Sequence, residues 1–419
     1  VALNRVFIDH SGVMAARLAS IPNDGLDYEI IFAGGLYPVS TTATTVNHSA
    51  GGKLVVTTHA GAEVRFVSSL GGFFPTLAFA AQDVAVHGLT LMDIPYFGTF
   101  SQLLGSALFV GGKTANNTHV CDPTAITITD CIVHGFNGVF AWLSSNPAIY
   151  THTRVLNCRT VDTARNSSFL LSDSNVNAYA NIYIDNLVGN GINGPDSLSQ
   201  DPVNGVASSS HTSGTAGWEV GGLAGNSTLT VTRNIHTSRI LGSFNHDMHC
   251  FRITQLNSAD VRILLRDCIW TGKFEAGHMD GNGGGPMWLG YYHSGGPTYG
   301  LLDPRPRIDI ENCTFDSHIL SAVASSPASL TGAAAGFAPH SDADYHFWDT
   351  RFSWTVPAAF SAITQALSVG GGNPRSFFHN TTHNANSLTQ SPAGDATVTI
   401  DAQSLDNPGD IHGRVPVPI

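Results

Sequence analysis

One phrase returns along most of the chain: two or three β-formers, then Asp or Asn, often Cys, then another pair of β-formers. It reads Ile126-Thr127-Ile128-Thr129-Asp130-Cys131-Ile132-Val133, and again Arg154-Val155-Leu156-Asn157-Cys158-Arg159. Further versions centre on Asp185, Asn234, Asp267, Asn312 and Asp349, at steps of 27, 28, 49, 33, 45 and 37 residues counted from Asp130. A strand–corner–strand unit of this size cannot bury its own apolar side, so successive units must stack and share one core. The spacing therefore predicts an all-β solenoid of parallel strands. Each coil would add about 4.8 Å, and about eleven to thirteen coils would make a rod on the order of 55 Å long.

Composition agrees. Of the 419 residues 12% are charged, 42% are hydrophobic and 44 are Gly, which suits many short strands and corners and excludes a disordered chain. The formal net charge of -12 argues against nucleic acid as a partner, because its recognition needs a basic face. No apolar run reaches the roughly 20 residues of a membrane helix, so no membrane span is expected. The first residues lack the basic-then-apolar pattern of a signal peptide. There is no phosphate loop, dinucleotide fingerprint or nucleophile elbow.

Four of the six cysteines, Cys131, Cys158, Cys268 and Cys313, follow the Asp/Asn corner directly. Each stands two residues before a β-former, as alternation toward the interior requires. They are expected as a buried row of free thiols packing as small hydrophobes. Cys121 and Cys250 lie outside the pattern and are left free or paired.

Three segments follow from the patterning. Residues 1–22 are expected to hold a strand and a helix, with Val13, Met14, Ala16, Leu18 and Ile21 on one face before Pro22. Such a helix would cover the open end of the stack. Residues 23–370 are expected to form the solenoid, with loops inserted near 189–225 and 272–306. Residues 371–419 follow the break Gly370-Gly371-Gly372-Asn373-Pro374 and read as a C-terminal cap or arm with one strand near 396–400. The prolines of Val415-Pro416-Val417-Pro418 bar an interior strand there.

The chain resembles the right-handed, single-stranded parallel β-helix superfamily typified by pectate lyases. The likeness lies in the strand–Asn/Asp–Cys–strand phrase, the helix before the first coil and the early turn Gly34-Gly35-Leu36-Tyr37, and it covers roughly residues 10–360. That superfamily holds lyases, hydrolases, phage tailspikes and non-catalytic adhesins, so the resemblance implies a fold more firmly than an activity. For tailspike-type members it implies a homotrimer associated with other virion proteins.

Candidate chemistry gathers in the later coils. Asp247 and Asp280 are separated by 33 residues, the same step as Asn234 to Asp267, so they are expected on adjacent coils of one face. With Glu275 they could act as general acid and base on a glycosidic bond. A lyase would instead need a cation to neutralise a uronate carboxylate. The resemblance implies Lys or Arg for that, often with calcium; Lys273 with Arg252 or Arg266 is the best match. No other cofactor is implied. His246, His249 and His278 lack the fixed helical spacing of zinc motifs, and no metal site is assigned. Trp288, Tyr291, Tyr292 and Tyr299 crowd the second insert and Trp218 sits in the first, and these five are the candidate glycan-binding residues. Exposed, such rings stack on sugars; buried, they would fold the glycine-rich loops onto the solenoid.

The leading expectation is thus a viral or phage surface protein of tailspike, fibre or decoration type, presenting a face to a polysaccharide or cell-surface glycan. The alternative is an extracellular polysaccharide-degrading hydrolase or lyase.

Overall fold

In the computed structural model the described residues are 3–39, 44–68, 77–93, 108–134, 138–163, 168–171, 177–193, 213–241, 247–275, 288–289, 305–321, 334–339, 343–355, 365–367, 375–383, 387–389 and 397–401. Among them, strands form one 22-stranded and one 11-stranded sheet. The strands pair in parallel and fall into three ladders. The first runs through Ala125–Thr129, Thr151–Leu156, Ala180–Asp185, Thr228–Thr232, Arg262–Arg266, Arg307–Glu311 and Asp344–Trp348. The second runs through Ile132–His134, Arg159–Thr163, Val188–Asn193, Ile235–Leu241, Ile269–Glu275, Thr314–Ser321 and Arg351–Thr355. The third runs through Leu108–Gly111, Val139–Trp142, Phe169–Leu171, Ser213–Leu223, Asp247–Leu256, Trp288–Leu289 and Ala334–Pro339. The chain visits the ladders in that order and returns to the first one rung further on. This connectivity is compatible with a parallel β-helix.

The bend from first to second ladder explains the repeated phrase. Asp130, Asn157, Asn186, Arg233, Asp267, Asn312, Asp349 and Asn380 all have φ between 49° and 55°. This left-handed conformation is tolerated best by Asn, Asp and Gly, and Gly88 takes the same role one rung earlier at φ 69°. Each bend keeps its backbone bonded: the N–H of Asp130 donates to Leu156 O, that of Asn157 to Asp185 O and that of Asp267 to Glu311 O. Side chains add a second tie. The amide of Asn312 donates to Asp267 Oδ1 at 2.7 Å, and that of Asn380 to Asp349 Oδ1 at 2.7 Å. Two corners lie one residue from where the phrase placed them: Asn186 rather than Asp185, and Arg233 rather than Asn234.

The position after the corner points inward. All six cysteines are free and buried, as the expectation for the corner four required. Their thiols also do more than fill space. Cys158 Sγ lies 3.7 Å from Ile128 O and Cys313 Sγ 3.5 Å from Leu265 O, one rung back. Thr350 takes the same position and donates to Ile310 O at 3.2 Å. Burial pushes the thiols of Cys158 and Cys313 well above their ordinary value, so they stay protonated and are poor nucleophiles.

A column of rings fills the later core: Trp218, Phe251, Trp270, Phe315 and Phe352 follow one another at centroid distances of 4.5–5.2 Å. Beside it lie two buried polar side chains. Asn234 accepts from the Trp270 indole at 2.6 Å and its amide donates to Leu187 O at 2.5 Å. Burial drives His236 down to about 3.

The helix Ser11–Ala19 forms as expected, with His10 Nδ1 accepting from Gly12 N–H at its start. Met14, Leu18 and the following Ile21 join the core, and Val13 packs against it, whereas Ala16 lies outside. The expected inserts are shorter than their composition suggests, because Val188–Asn193, Ser213–Leu223 and Ile269–Glu275 are ladder strands. Parallel pairing also runs past residue 370. Arg375–His379 pairs with Asp344–Trp348, and Thr397–Asp401 with Arg375–His379.

Candidate functional site

Alternation decides which side chains a rung offers to solvent, and the outward rows of the three ladders differ. On the third ladder one outward row runs Ala78, Phe109, Phe140, Leu170, Glu219 and Arg252 in register. Its first half is aromatic. Phe109 is met edge to face by Phe140 (5.5 Å, 68°) and by Trp142 (5.4 Å, 89°). Lys113 places its ammonium 3.7 Å from the Trp142 ring centroid and donates to Asn117 Oδ1 at 2.8 Å. Phe109 and Ala115 are buried beneath, while Phe140 and Trp142 remain partly exposed. The second half of the row is ionic: Arg252 Nη2 donates to Glu219 Oε1 at 2.6 Å, with the Glu219 side chain 8% exposed.

Most of the residues singled out in the sequence flank this row or lie beyond reach. Lys273 and Glu275 are on the second-ladder strand Ile269–Glu275, Lys273 in register between Arg239 and His318. Asp247 opens the third-ladder strand Asp247–Leu256, in register with Ser213. Trp288 pairs with Arg252 in the backbone. Asp280, Tyr291, Tyr292 and Tyr299 lie outside the described residues, as do His246 and His278.

Trp218 needs a correction as a candidate sugar-stacking ring. It is fully buried, stacked on Phe251 at 4.8 Å and 18°. The segment Gly217-Trp218-Glu219-Val220 is a strand, and alternation sends Trp218 and Val220 inward and Glu219 outward. The ring serves the core and offers a sugar nothing.

The arginines considered for neutralising a uronate are already matched with carboxylates. Arg252 pairs with Glu219 as above, and Arg266 Nε pairs with Glu311 Oε2 at 2.7 Å. An incoming carboxylate would have to displace a buried protein carboxylate at either place.

In register with Lys273 lies a group that the sequence reading missed. His318 Nε2 is 2.7 Å from Asp316 Oδ2, and Ser353 Oγ donates to Asp316 Oδ1 at 2.6 Å. The carboxylate stands between the other two, so this is no nucleophile–base–orienter series, which requires the imidazole in the middle. What it provides is an imidazole oriented by a carboxylate, fit for proton transfer. The signal was available. Cys313 and Phe315 point inward, so Thr314, Asp316 and His318 share the opposite phase of the same strand.

The first ladder offers less. Thr230, Leu264 and Asp309 follow one another in its outward register and are all fully buried. Arg307 grips Asp309 with two bonds of 2.8 and 2.9 Å, and the Trp348 indole donates to the same carboxylate at 3.1 Å. Further on, His346 stacks on Phe377 (4.5 Å, 11°) and Trp348 on His379 (3.7 Å, 9°). Burial, reinforced by the Arg307 charge, lowers His346 to about 4. Among the described residues no cluster of three or more His, Cys, Asp or Glu could hold a metal, and no helix is long and apolar enough to cross a membrane. The chain matches no family model and no curated protein.

Proposed function

We propose that this chain is a right-handed parallel β-helix of the pectate-lyase-like type that presents a polysaccharide-binding face. Its place would be a virion or other extracellular surface, in the manner of a tailspike, fibre or decoration protein. The observation that carries the reading is the third-ladder row, in which the partly exposed ring of Phe140, with Trp142 beside it on the same strand, leads in register through Leu170 to the Glu219–Arg252 pair. The rung spacing of about 4.8 Å is close to the length of one pyranose in an extended glycan, so successive rungs can meet successive sugars. Rings take the apolar sugar faces and the ion pair takes hydroxyls. The virion setting rests on the resemblance alone, as does the role of the helix Ser11–Ala19 as a cover for the first rung.

Binding of the full chain to a panel of bacterial and algal polysaccharides, with Phe140→Ala alongside, tests this. Retention of at least one glycan by the parent, and about tenfold weaker binding by the variant, is the expected result. A panel that binds nothing, or binds both proteins equally, sinks it.

A second reading is favoured by one observation, the Asp316–His318 pair one rung from Lys273. That pair and Lys273 would let the same protein cleave what it binds, His318 moving the proton and Lys273 meeting the charge. New reducing ends or unsaturated products that are lost in His318→Ala would move the protein into that class. Unchanged substrate would leave it a binder.

A further inference from the structure

Followed one rung further back, the outward row of the third ladder runs Thr45, Ala78, Phe109, Phe140, Leu170, Glu219 and Arg252. Ala78 and Phe109 point outward yet are 0% and 5% exposed, whereas Phe140, on the next rung, stays partly exposed. The cover over the first two is a hairpin of the same chain, residues 112–121. Its tip residue Ala115 is fully buried in one cluster with Ala78 and Phe109.

Two glycines let the chain double back as it leaves the strand Leu108–Gly111. Gly111 has φ 105°, and a Cβ there would lie 2.5 Å from Trp142 O. A Cβ on Gly112 would lie 2.6 Å from Cys121 O, where the two limbs of the hairpin meet. Lys113 and His119 form an antiparallel bridge, Thr114 N–H donates to Thr118 O at 2.9 Å, and Val120 N–H donates to Gly112 O at 2.9 Å. The hairpin is also tied to the coils beneath it. Gly112 N–H donates to Trp142 O at 3.0 Å at its base, and Ala115 N–H donates to Thr45 Oγ1 at 3.1 Å, two rungs behind Phe109. On the outgoing limb the Lys113 ammonium rests over the Trp142 ring. On the return limb His119 Nε2 lies 3.3 Å from Asp122 Oδ1, which accepts from the buried Ser144 hydroxyl at 3.3 Å. Bonded at base, tip and both limbs, the hairpin is a fixed part of the surface.

We propose that this hairpin is a wall, and that the protein therefore recognises the end of a polysaccharide chain and not an internal stretch of it. The inference rests on the glycan reading and narrows it. A glycan lying along the row, one sugar to a rung, meets the hairpin immediately before Phe140. To continue past it the glycan would have to uncover Phe109 and Ala115 and break the bond to Thr45. A glycan that stops there sets its terminal sugar beside Phe140 and Trp142 and runs from them toward Glu219 and Arg252.

The test uses the polysaccharide that the full chain retains, intact and after partial acid hydrolysis into shorter fragments. Protein bound at saturation is measured at equal mass of sugar. Recognition of ends predicts that protein bound per gram rises in proportion to the ends created. With residues 113–119 replaced by a short Gly-Ser link, and the fold checked by circular dichroism, the intact polymer should take up more protein per gram than it does of the parent, and fragmentation should add little. Parent binding per gram that stays constant or falls on fragmentation means internal recognition; it overturns the wall and leaves the glycan reading standing. A folded variant that still counts ends also overturns it. A parent that retains no polysaccharide removes both.

Discussion

Two groups of outward rings sit on this molecule, and they are built on opposite principles. On the first ladder Trp348, His379, His346 and Phe377 lie nearly parallel, 7–11° apart, stacked from rung to rung. On the third ladder Phe140 and Trp142 meet Phe109 at 68° and 89°. Rings stacked along a ladder spend their faces on each other and turn edges to solvent. Rings packed edge to face keep a face free of other rings, and a sugar stacks on a face. The same fold and residue types thus give a structural seam in one place and, in the other, the surface proposed for recognition. The number of exposed aromatics does not tell them apart; their interplanar angles do.

The sharpest way to break this comparison is to remove one tryptophan from each group. Trp348→Ala should lower stability by about 3 kcal/mol, because it removes the stack on His379 and strips a hydrogen bond from the fully buried Asp309. Its glycan binding should be unchanged. Trp142→Ala should cost under about 1.5 kcal/mol of stability at its partly exposed site. Urea midpoints of the two variants carry the test, and equal losses would dissolve the distinction.

Acid should act on the interior and the seam, where the buried histidines lie. His346 is lowered to about 4 and the interior His236 to about 3, both by burial, against an ordinary 6.5. A depressed histidine is neutral in the folded chain and takes a proton on unfolding. Its stabilising effect is therefore complete above pH 6.5 and is lost as pH falls toward 4 for His346 and 3 for His236. At about pH 5 His236 alone should cost on the order of 2 kcal/mol relative to about pH 7.5, and the more exposed His346 less. The comparison is kept above about pH 5, where carboxylates of ordinary pKa stay largely ionised. His346→Phe keeps the stack and should remove part of the slope; a variant with the full slope would assign it all to the interior.

The corners show what a single sequence can reveal about this architecture. Asp or Asn before an inward Cys marks a left-handed bend, and six of the eight corners from Asp130 onward follow that rule or its Thr variant. It slipped by one at Asp185-Asn186, where either residue tolerates the bend and Leu187, not Cys, turns inward. It slipped again at Arg233-Asn234, where Arg takes a conformation that propensity disfavours. Its guanidinium is held by Asp185, whose carboxyl is in turn kept below the usual range by that bond, and Asn234 replaces the thiol in the core. Sites were harder to read, because they depend on which side of a strand a residue faces. Trp218 sat among glycines and polar residues and read as loop, yet its neighbours alternate as strand. Asp316 and His318 were passed over although Cys313 and Phe315 had already set the inward phase of their strand.

The surface proposed for recognition can itself be graded. Phe140→Ala should weaken glycan binding about tenfold, near 1.4 kcal/mol. Titration calorimetry with the retained polysaccharide reads this directly, and a change below about twofold would remove Phe140 from the surface.

The smallest effect is the most discriminating. Lys113 holds its ammonium 3.7 Å from the centre of the Trp142 ring, the position a sugar face would otherwise take. A cation over an indole at a partly exposed site contributes about 0.5–1 kcal/mol, so Lys113→Met should lower stability by no more than that. Its effect on binding depends on what the surface recognises. If neutral sugars stack there, the lysine competes with them, and the variant should bind about two- to threefold more tightly. If the glycan is anionic, the lysine is part of its site, and the same variant should bind more weakly and lose its salt dependence. The neutral-sugar outcome is the one expected, since the Lys113 ammonium already occupies the ring face a sugar would take and Arg252 is matched by Glu219.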